Sequence, residues 1–153
     1  MLSTPPRIIV ITGTLLGLSI SVLELAKFYA VRLAYQPFLK IASILLIILI
    51  VYALYWGLKE IRDRFYEGTI KFSKAFLYGA GISFVAFIIV FLYLILHYSY
   101  IDIDGLQRIN EKNAALSPLM HIVPASLIFS FSVFLYGIFL NLFVSMYVYR
   151  DRR

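Results

Sequence analysis

The chain has 153 residues, of which 62% are hydrophobic and 14% are charged, and its formal net charge is +6. Soluble domains are about half apolar and a quarter charged, so this composition excludes a soluble protein and predicts an integral membrane protein. The absence of cysteine excludes disulfides, thiolate catalysis and cysteine-ligated metal or iron–sulfur clusters.

Four apolar segments are long enough to cross a bilayer as helices. A spanning helix needs roughly 20 largely apolar residues, because its backbone polar groups must be satisfied within the helix. Ser73 as the N-cap of the third segment and Pro124 in the first turn of the fourth are typical of helix starts. The predicted spans cover about residues 8–29, 38–58, 74–97 and 121–149. We therefore expect an all-α membrane protein, a compact bundle of four transmembrane helices that forms a single domain over residues 1–153.

Lysine and arginine are unevenly divided between the two ends of such a bundle. Nine lie on the side that carries both termini and the second connection: Arg7, Lys59, Arg62, Arg64, Lys71, Lys74, Arg150, Arg152 and Arg153. Five lie on the other side: Lys27, Arg32, Lys40, Arg108 and Lys112. Because cytoplasmic segments carry an excess of these residues, we predict a bacterial inner-membrane protein with both termini cytoplasmic.

The densest run of charge is the second connection, Lys59 to Phe76, with the sequence KEIRDRFYEGTIKFSKAF. We interpret it as a cytoplasmic loop whose cations, together with those of the C-terminus, contact anionic lipid headgroups. The expected headgroup contacts are Lys59, Arg62, Arg64, Lys71, Lys74, Arg150 and Arg152. The alternative is a recognition or active site, but its carboxylates alternate with cations, which is typical of local charge compensation.

The same connection carries a resemblance to a known family. The residues concerned are Arg62-Asp63 after the second span, then Gly68, Ile70, Phe72-Ser73, Ala75-Phe76 and Gly79 at the start of the third. In these residues and in its span layout, the chain resembles a family of small four-span bacterial membrane proteins of unknown function, found mainly in Bacteroidota. The loop between the third and fourth spans is shorter and less acidic here than in that family. The resemblance implies the four-span topology and no particular activity.

His97 and His121 are expected at the outer face, with Asp102, Asp104 and Glu111 between them. Two imidazoles and a carboxylate can bind a divalent metal, but their spacing matches no metal-binding motif. We therefore interpret them as interfacial histidines and expect no metal and no cofactor. The segment GLQRINEKNAALSP between them predicts a short polar helix or cap on the outer surface.

Three further polar residues lie within the spans. Glu24 and Lys27 are three residues apart near the outer end of the first span, so they share a helix face and can neutralise each other. Ionisable residues inside a membrane are candidates for function, although these two are near enough to the interface to snorkel. Asn141 lies deeper, and we expect it to form a hydrogen bond with a neighbouring helix.

Small and polar residues recur at intervals of four on three spans. Such a stripe lies on one helix face, where it lets two backbones approach closely in lipid. We expect these stripes to face the bundle interior and the first and third helices to cross near Gly17, with large apolar residues turned to lipid. The packing residues are Gly13, Gly17 and Ser21, then Ala75, Gly79 and Ser83, and finally Gly137, Asn141 and Ser145.

These features favour a non-catalytic accessory, assembly or self-associating subunit of a membrane. The expected partners are anionic lipid at the cytoplasmic face and either a second copy of the chain or a larger membrane complex. A small transporter or channel is the first alternative, and a membrane-embedded enzyme is the second. Nucleic acid is not an expected partner, because the insertion rule alone accounts for basic charge at one face.

Overall fold

A computed structural model of the protein describes residues 4–102 and 118–150, with the backbone alone described for residues 118–121. The described residues form four helices and no strand: α1 (Pro5–Arg32), α2 (Gln36–Phe65), α3 (Phe72–Tyr100) and α4 (Pro118–Arg150). Each contains a stretch long and apolar enough to cross a membrane. The predicted four-span, all-α fold is therefore confirmed. The polar segment expected between the third and fourth spans lies outside the described residues.

The helices extend beyond the predicted spans, and two helix starts were predicted wrongly. The N-cap of α3 is Lys71, which places Ser73 inside the first turn. Pro124 lies within α4 because that helix already begins at Pro118. Proline does lie in the first turn of both α1 and α2, where its missing N–H leaves no intrahelical bond unmade.

The α2–α3 connection is a tight turn. Glu67 has a φ of 49° and Gly68 a φ of 79°, both in the left-handed region that glycine adopts without strain. The amide of Gly68 donates to the carbonyl of Arg62 over 3.3 Å, which closes the end of α2. The turn therefore brings the last turn of α2 next to the first turn of α3.

Both α2 and α3 contact each of the other three helices. Both α1 and α4 pack against α2 and α3, while α1 and α4 do not contact each other in the described parts of the chain. Going around the bundle, the order of helices is therefore α1, α2, α4, α3. Since successive spans cross the membrane in opposite directions, the neighbours α1 and α3 run parallel, as do α2 and α4.

The core is apolar, and the four helices contribute to it unequally. Ile20, Leu54, Ile82 and Val90, one or two from each of the first three helices, have no exposed surface. Of the residues in the most apolar stretch of α1, 44% are buried, whereas in α2 only 17% are buried. Large apolar side chains cover the outside of the bundle, as expected for a surface in contact with lipid tails. Of the four helices, α2 thus presents the largest share of its span to the surroundings.

Candidate functional site

The close approach of α1 to α3 occurs at two glycines. A Cβ atom placed on Gly17 would lie 2.6 Å from Cβ of Ile89 and 3.0 Å from the carbonyl oxygen of Ala86. A Cβ atom on Gly13 would lie 2.6 Å from Cβ of Val85. These distances are shorter than any van der Waals contact, so a side chain at either position would push the two helices apart. The parallel pair α1 and α3 is therefore in backbone contact over one turn.

A second close approach joins α3 to α4 through Asn141. Its Nδ2 donates to the carbonyl oxygen of Phe76 over 2.8 Å, and its Oδ1 accepts a bond from Ser145 Oγ over 2.9 Å. The amide lies directly on Gly79, where a Cβ atom would overlap it. Asn141 has no exposed surface. Its whole side chain is thus enclosed by a glycine, a backbone carbonyl and a hydroxyl of the chain itself.

The remaining stripe residues lie on the same interior faces. Gly137 packs against Ser83, whose Oγ would be 2.7 Å from a Cβ atom on residue 137. Ser21 Oγ donates to the carbonyl of Gly17 over 2.8 Å. The structure places all nine in the buried interior: Gly13, Gly17, Ser21, Ala75, Gly79, Ser83, Gly137, Asn141 and Ser145.

One packing residue was missed by the sequence analysis. Gly57 of α2 is buried, and a Cβ atom there would lie 2.8 Å from Cδ1 of Ile82 and 3.0 Å from Cγ2 of Thr12. Its signal was Ala53 four residues earlier, which makes a pair at the interval of four where each of the other helices has three such residues. Gly57 is therefore the point at which α2 meets both α1 and α3.

The end of the bundle away from the two termini contains a polar cluster around a small open cavity of about 260 Å³. Nζ of Lys27 lies 2.7 Å from Oε1 of Glu24, and both side chains are partly buried. His97 and Asp102 line the same cavity, although they come from the end of α3 rather than from α1. The structure thus joins an ion pair and a histidine that the sequence analysis treated as separate candidates.

Aromatic side chains fix the position of His97, which is buried. Its Nδ1 lies 3.1 Å from the hydroxyl of Tyr93, and its ring meets Phe28 edge-on at 4.9 Å between centroids. The guanidinium of Arg32 lies 4.5 Å from the centroid of the same Phe28 ring. Tyr93 was not predicted as part of a site, and its position four residues before His97 was the available signal.

The cluster offers polar contacts from an ammonium, carboxylates and an imidazole. Among the described residues, no group of three histidine, aspartate or glutamate side chains is arranged to hold a metal ion. The side chain of His121, the second predicted histidine, lies outside the described residues. The ammonium of Lys27 already donates to both carboxylate oxygens of Glu24, over 2.7 and 3.0 Å.

The cations of the second connection differ in what they contact. Arg62 is only 3% exposed, and its guanidinium donates to Oδ1 of Asp63 over 2.8 Å and to the carbonyl of Val148 over 3.3 Å. This differs from the expected headgroup contact, because burial between α2 and α4 turns the side chain inward. Arg64, by contrast, is exposed and forms an ion pair with Glu60 on the same helix.

The other expected headgroup residues remain at the surface or outside the described part of the chain. Lys59 Nζ lies 5.8 Å from the ring centroid of Tyr55. Lys71 and Lys74 line a separate cavity at the start of α3. Arg150 is exposed at the end of α4, and Arg152 is not described.

Comparison with known proteins identifies one relationship. A family model with the description "Protein of unknown function (DUF4199)" matches residues 11–150. The match spans all four helices and confirms that the chain resembles a family of unknown function. Neither a curated protein nor a solved structure matches the chain.

Proposed function

The chain belongs to the DUF4199 family of proteins of unknown function, and we propose that it acts as a non-catalytic accessory, assembly or self-associating subunit of a membrane complex. Its setting is the bacterial inner membrane, with both termini and the α2–α3 connection in the cytoplasm. The excess of lysine and arginine at that end supports this orientation. Anionic lipid at the cytoplasmic face is its expected lipid partner.

The observation that carries this proposal is the enclosure of Asn141. A substrate or ion pathway needs polar groups that face a cavity at the level of the membrane centre. The amide of Asn141 instead contacts Phe76 and Ser145 of its own chain and has no exposed surface. Its hydrogen bonds therefore hold helices together, which is the expected use in a protein whose role is structural.

The shallow burial of α2 supports association with another protein. Only 17% of its most apolar stretch is buried, against 28% for α4 and 33% for α3. Ile44 and Ile48 lie on its exposed face. A second copy of this chain that packed against this face would bury α2 to the level of the other helices.

Cross-linking in native membranes tests self-association, because the natural chain contains no cysteine. Ile48→Cys places a thiol on the exposed face of α2, and Val22→Cys places a matched thiol on an exposed face of α1. We expect oxidation to yield dimers with Ile48→Cys and monomers with Val22→Cys. Native mass spectrometry of the wild-type chain in lipid nanodiscs gives an independent mass. The proposal would be ruled out if both experiments gave only monomers and no second protein was bound at a fixed stoichiometry.

The polar cluster at the outer end favours a small transporter as the second candidate function. Glu24, Lys27, His97 and Asp102 line one cavity that opens to the outside of the bundle. A transporter would require these groups for flux, so solute uptake into proteoliposomes should fall in Glu24→Gln. Equal uptake by the wild-type chain and by empty liposomes would exclude this alternative.

A further inference from the structure

A larger cavity lies at the opposite end of the bundle from the polar cluster. It has a volume of about 460 Å³ and is formed by the α2–α3 turn, the first turn of α3 and the last turn of α4. Its lining residues are Tyr66, Thr69, Ile70, Lys71, Lys74 and Tyr149. This volume is within the usual range of small-ligand sites, which is about 300–1,000 Å³.

The cavity is lined by two cations and by no carboxylate. The nearby acidic residues Glu60 and Asp63 are paired with arginines of α2. Within residues 4–102 and 118–150, neither Lys71 nor Lys74 forms an ion pair. Glu67 of the same turn does not line the cavity, so the groups that do line it carry a net positive charge.

One of the two lysines is held in place by aromatic rings. Nζ of Lys74 lies 4.9 Å from the centroid of the Tyr66 ring, a distance typical of a cation–π contact. The Tyr66 hydroxyl lies 2.7 Å from the hydroxyl of Tyr78, which fixes the ring. The Lys74 ammonium is thus positioned at the cavity before any ligand arrives, which lowers the entropy cost of binding.

The N-terminus of α3 adds a second source of positive potential. Lys71 is the N-cap residue of this 29-residue helix, and it makes no side-chain capping bond. The first amides of an uncapped helix lack acceptors and attract anions. Thr69 adds no donor, because its hydroxyl already donates to the carbonyl of Tyr66 over 3.2 Å. The polar side chains left to meet a ligand in the cavity are therefore those of Lys71, Lys74 and Tyr149.

We propose that this cavity is a discrete binding site for one phosphate-bearing anion, and its place at the end of four membrane spans makes a lipid phosphodiester headgroup the natural source. Basic pockets between transmembrane helices are a recurrent way of holding anionic headgroups. The site differs from the diffuse attraction of a basic loop, because Arg62 and Arg64 of that loop are already engaged within the chain. It does not depend on self-association or on transport.

The experiment measures binding to the purified wild-type chain in a non-ionic detergent by native mass spectrometry. One arm is titrated with phosphatidylglycerol, a second with inorganic phosphate and a third with zwitterionic phosphatidylcholine. Binding of phosphatidylglycerol alone assigns the site to a lipid headgroup. Binding of inorganic phosphate with comparable affinity assigns it to a soluble phosphate. Both results support a phosphate site, whereas equal binding of phosphatidylcholine would overturn it.

A pair of double variants separates the cavity from general surface charge. Lys71→Gln/Lys74→Gln should weaken binding of the preferred anion by about 30-fold, because each juxtamembrane lysine contributes roughly fivefold near an anionic partner. Lys59→Gln/Arg64→Gln removes the same charge from the same end of the bundle, outside the cavity, and should change binding less than about threefold. Lys71→Arg/Lys74→Arg retains the charge and should retain binding.

Two outcomes would overturn the proposal. The first is wild-type affinity in Lys71→Gln/Lys74→Gln. The second is an equal loss in Lys59→Gln/Arg64→Gln, which would show that the anion responds to overall charge. Thermal unfolding of each variant without ligand shows whether the variant is folded. If Lys71→Gln/Lys74→Gln does not fold, loss of binding in Lys71→Arg/Lys74→Arg would still contradict the proposal.

Discussion

The side-chain amide of Asn141 donates to the backbone carbonyl of Phe76 over 2.8 Å and thereby joins α4 to α3. A carbonyl within a helix already accepts a bond from the amide four residues later, so Asn141 uses its second lone pair. The contact is possible because Gly79, three residues after Phe76, leaves room for the amide. A polar side chain and a glycine on the neighbouring helix therefore act as one unit.

Asn141→Ala and Gly79→Ala should each lower the free energy of unfolding. The first removes an interhelical hydrogen bond, which contributes about 1 kcal/mol in membranes, and the second forces an overlap that costs about 1–3 kcal/mol. In the double variant the overlap disappears, so Gly79→Ala should cost less there than in the wild-type chain. Unfolding in mild detergent by titration with a denaturing detergent measures all four chains. Additive losses would show that the two residues are independent.

Gly17→Leu should destabilise the bundle by at least about 3 kcal/mol, because a side chain there meets Ile89 and the backbone of α3. Val22→Leu is the control, since Val22 is 67% exposed on α1 and lies outside the proposed contact face of α2. The thermal midpoint in detergent should fall for the first variant and change little for the second. Equal midpoints would mean that the glycine stripe is not the packing face.

Arg62→Met should lower stability by about 3 kcal/mol, whereas Arg64→Met should cost less than about 1 kcal/mol. Arg62 is buried and bonds to the carbonyl of Val148, so its loss frees the end of α4. Arg64 is exposed and forms an ion pair with Glu60 on the same helix. Hydrogen exchange at the last turn of α4 should increase in the first variant alone. Faster exchange there in both variants would contradict this assignment.

Glu24→Gln and Lys27→Gln should each destabilise the outer end of α1, because each leaves its partner as an uncompensated charge near the membrane interface. The loss of unfolding free energy in the double variant should be about 1 kcal/mol smaller than the sum of the two single losses. This coupling lies between the values of exposed and buried ion pairs. A double-mutant cycle of unfolding free energies measures this coupling. A coupling of zero would mean that the pair is not formed in the membrane.

Cysteine labelling in cells with a permeabilised outer membrane tests the orientation. Thr69→Cys in the α2–α3 connection should resist an impermeant thiol reagent, because we place it in the cytoplasm. Asn110→Cys in the third connection should react, because we place it in the periplasm. Labelling of residue 69 without residue 110 would reverse the orientation, and with it the side on which the phosphate cavity lies.

The number of membrane spans and their approximate position follow from the sequence alone. A bilayer demands about 20 apolar residues with all backbone bonds closed inside one helix, and that demand is local to each segment. Small residues that recur at intervals of four likewise show which face of a helix can approach another helix. The glycines at 13, 17 and 79 are therefore visible as packing residues before any partner helix is known.

Part of the choice of neighbours was decided only by the tertiary structure. The glycine stripe predicts that α1 crosses α3 near Gly17, but it does not show that α4 packs against α2 and α3 and not against α1, because side-chain shape over whole helix faces determines which stripes fit together. That same arrangement places Glu24 of α1 and His97 of α3 around one cavity. It also buries Arg62 against the end of α4. In the sequence Arg62 is one cation among several, because burial depends on whether a helix from elsewhere in the chain packs over the residue.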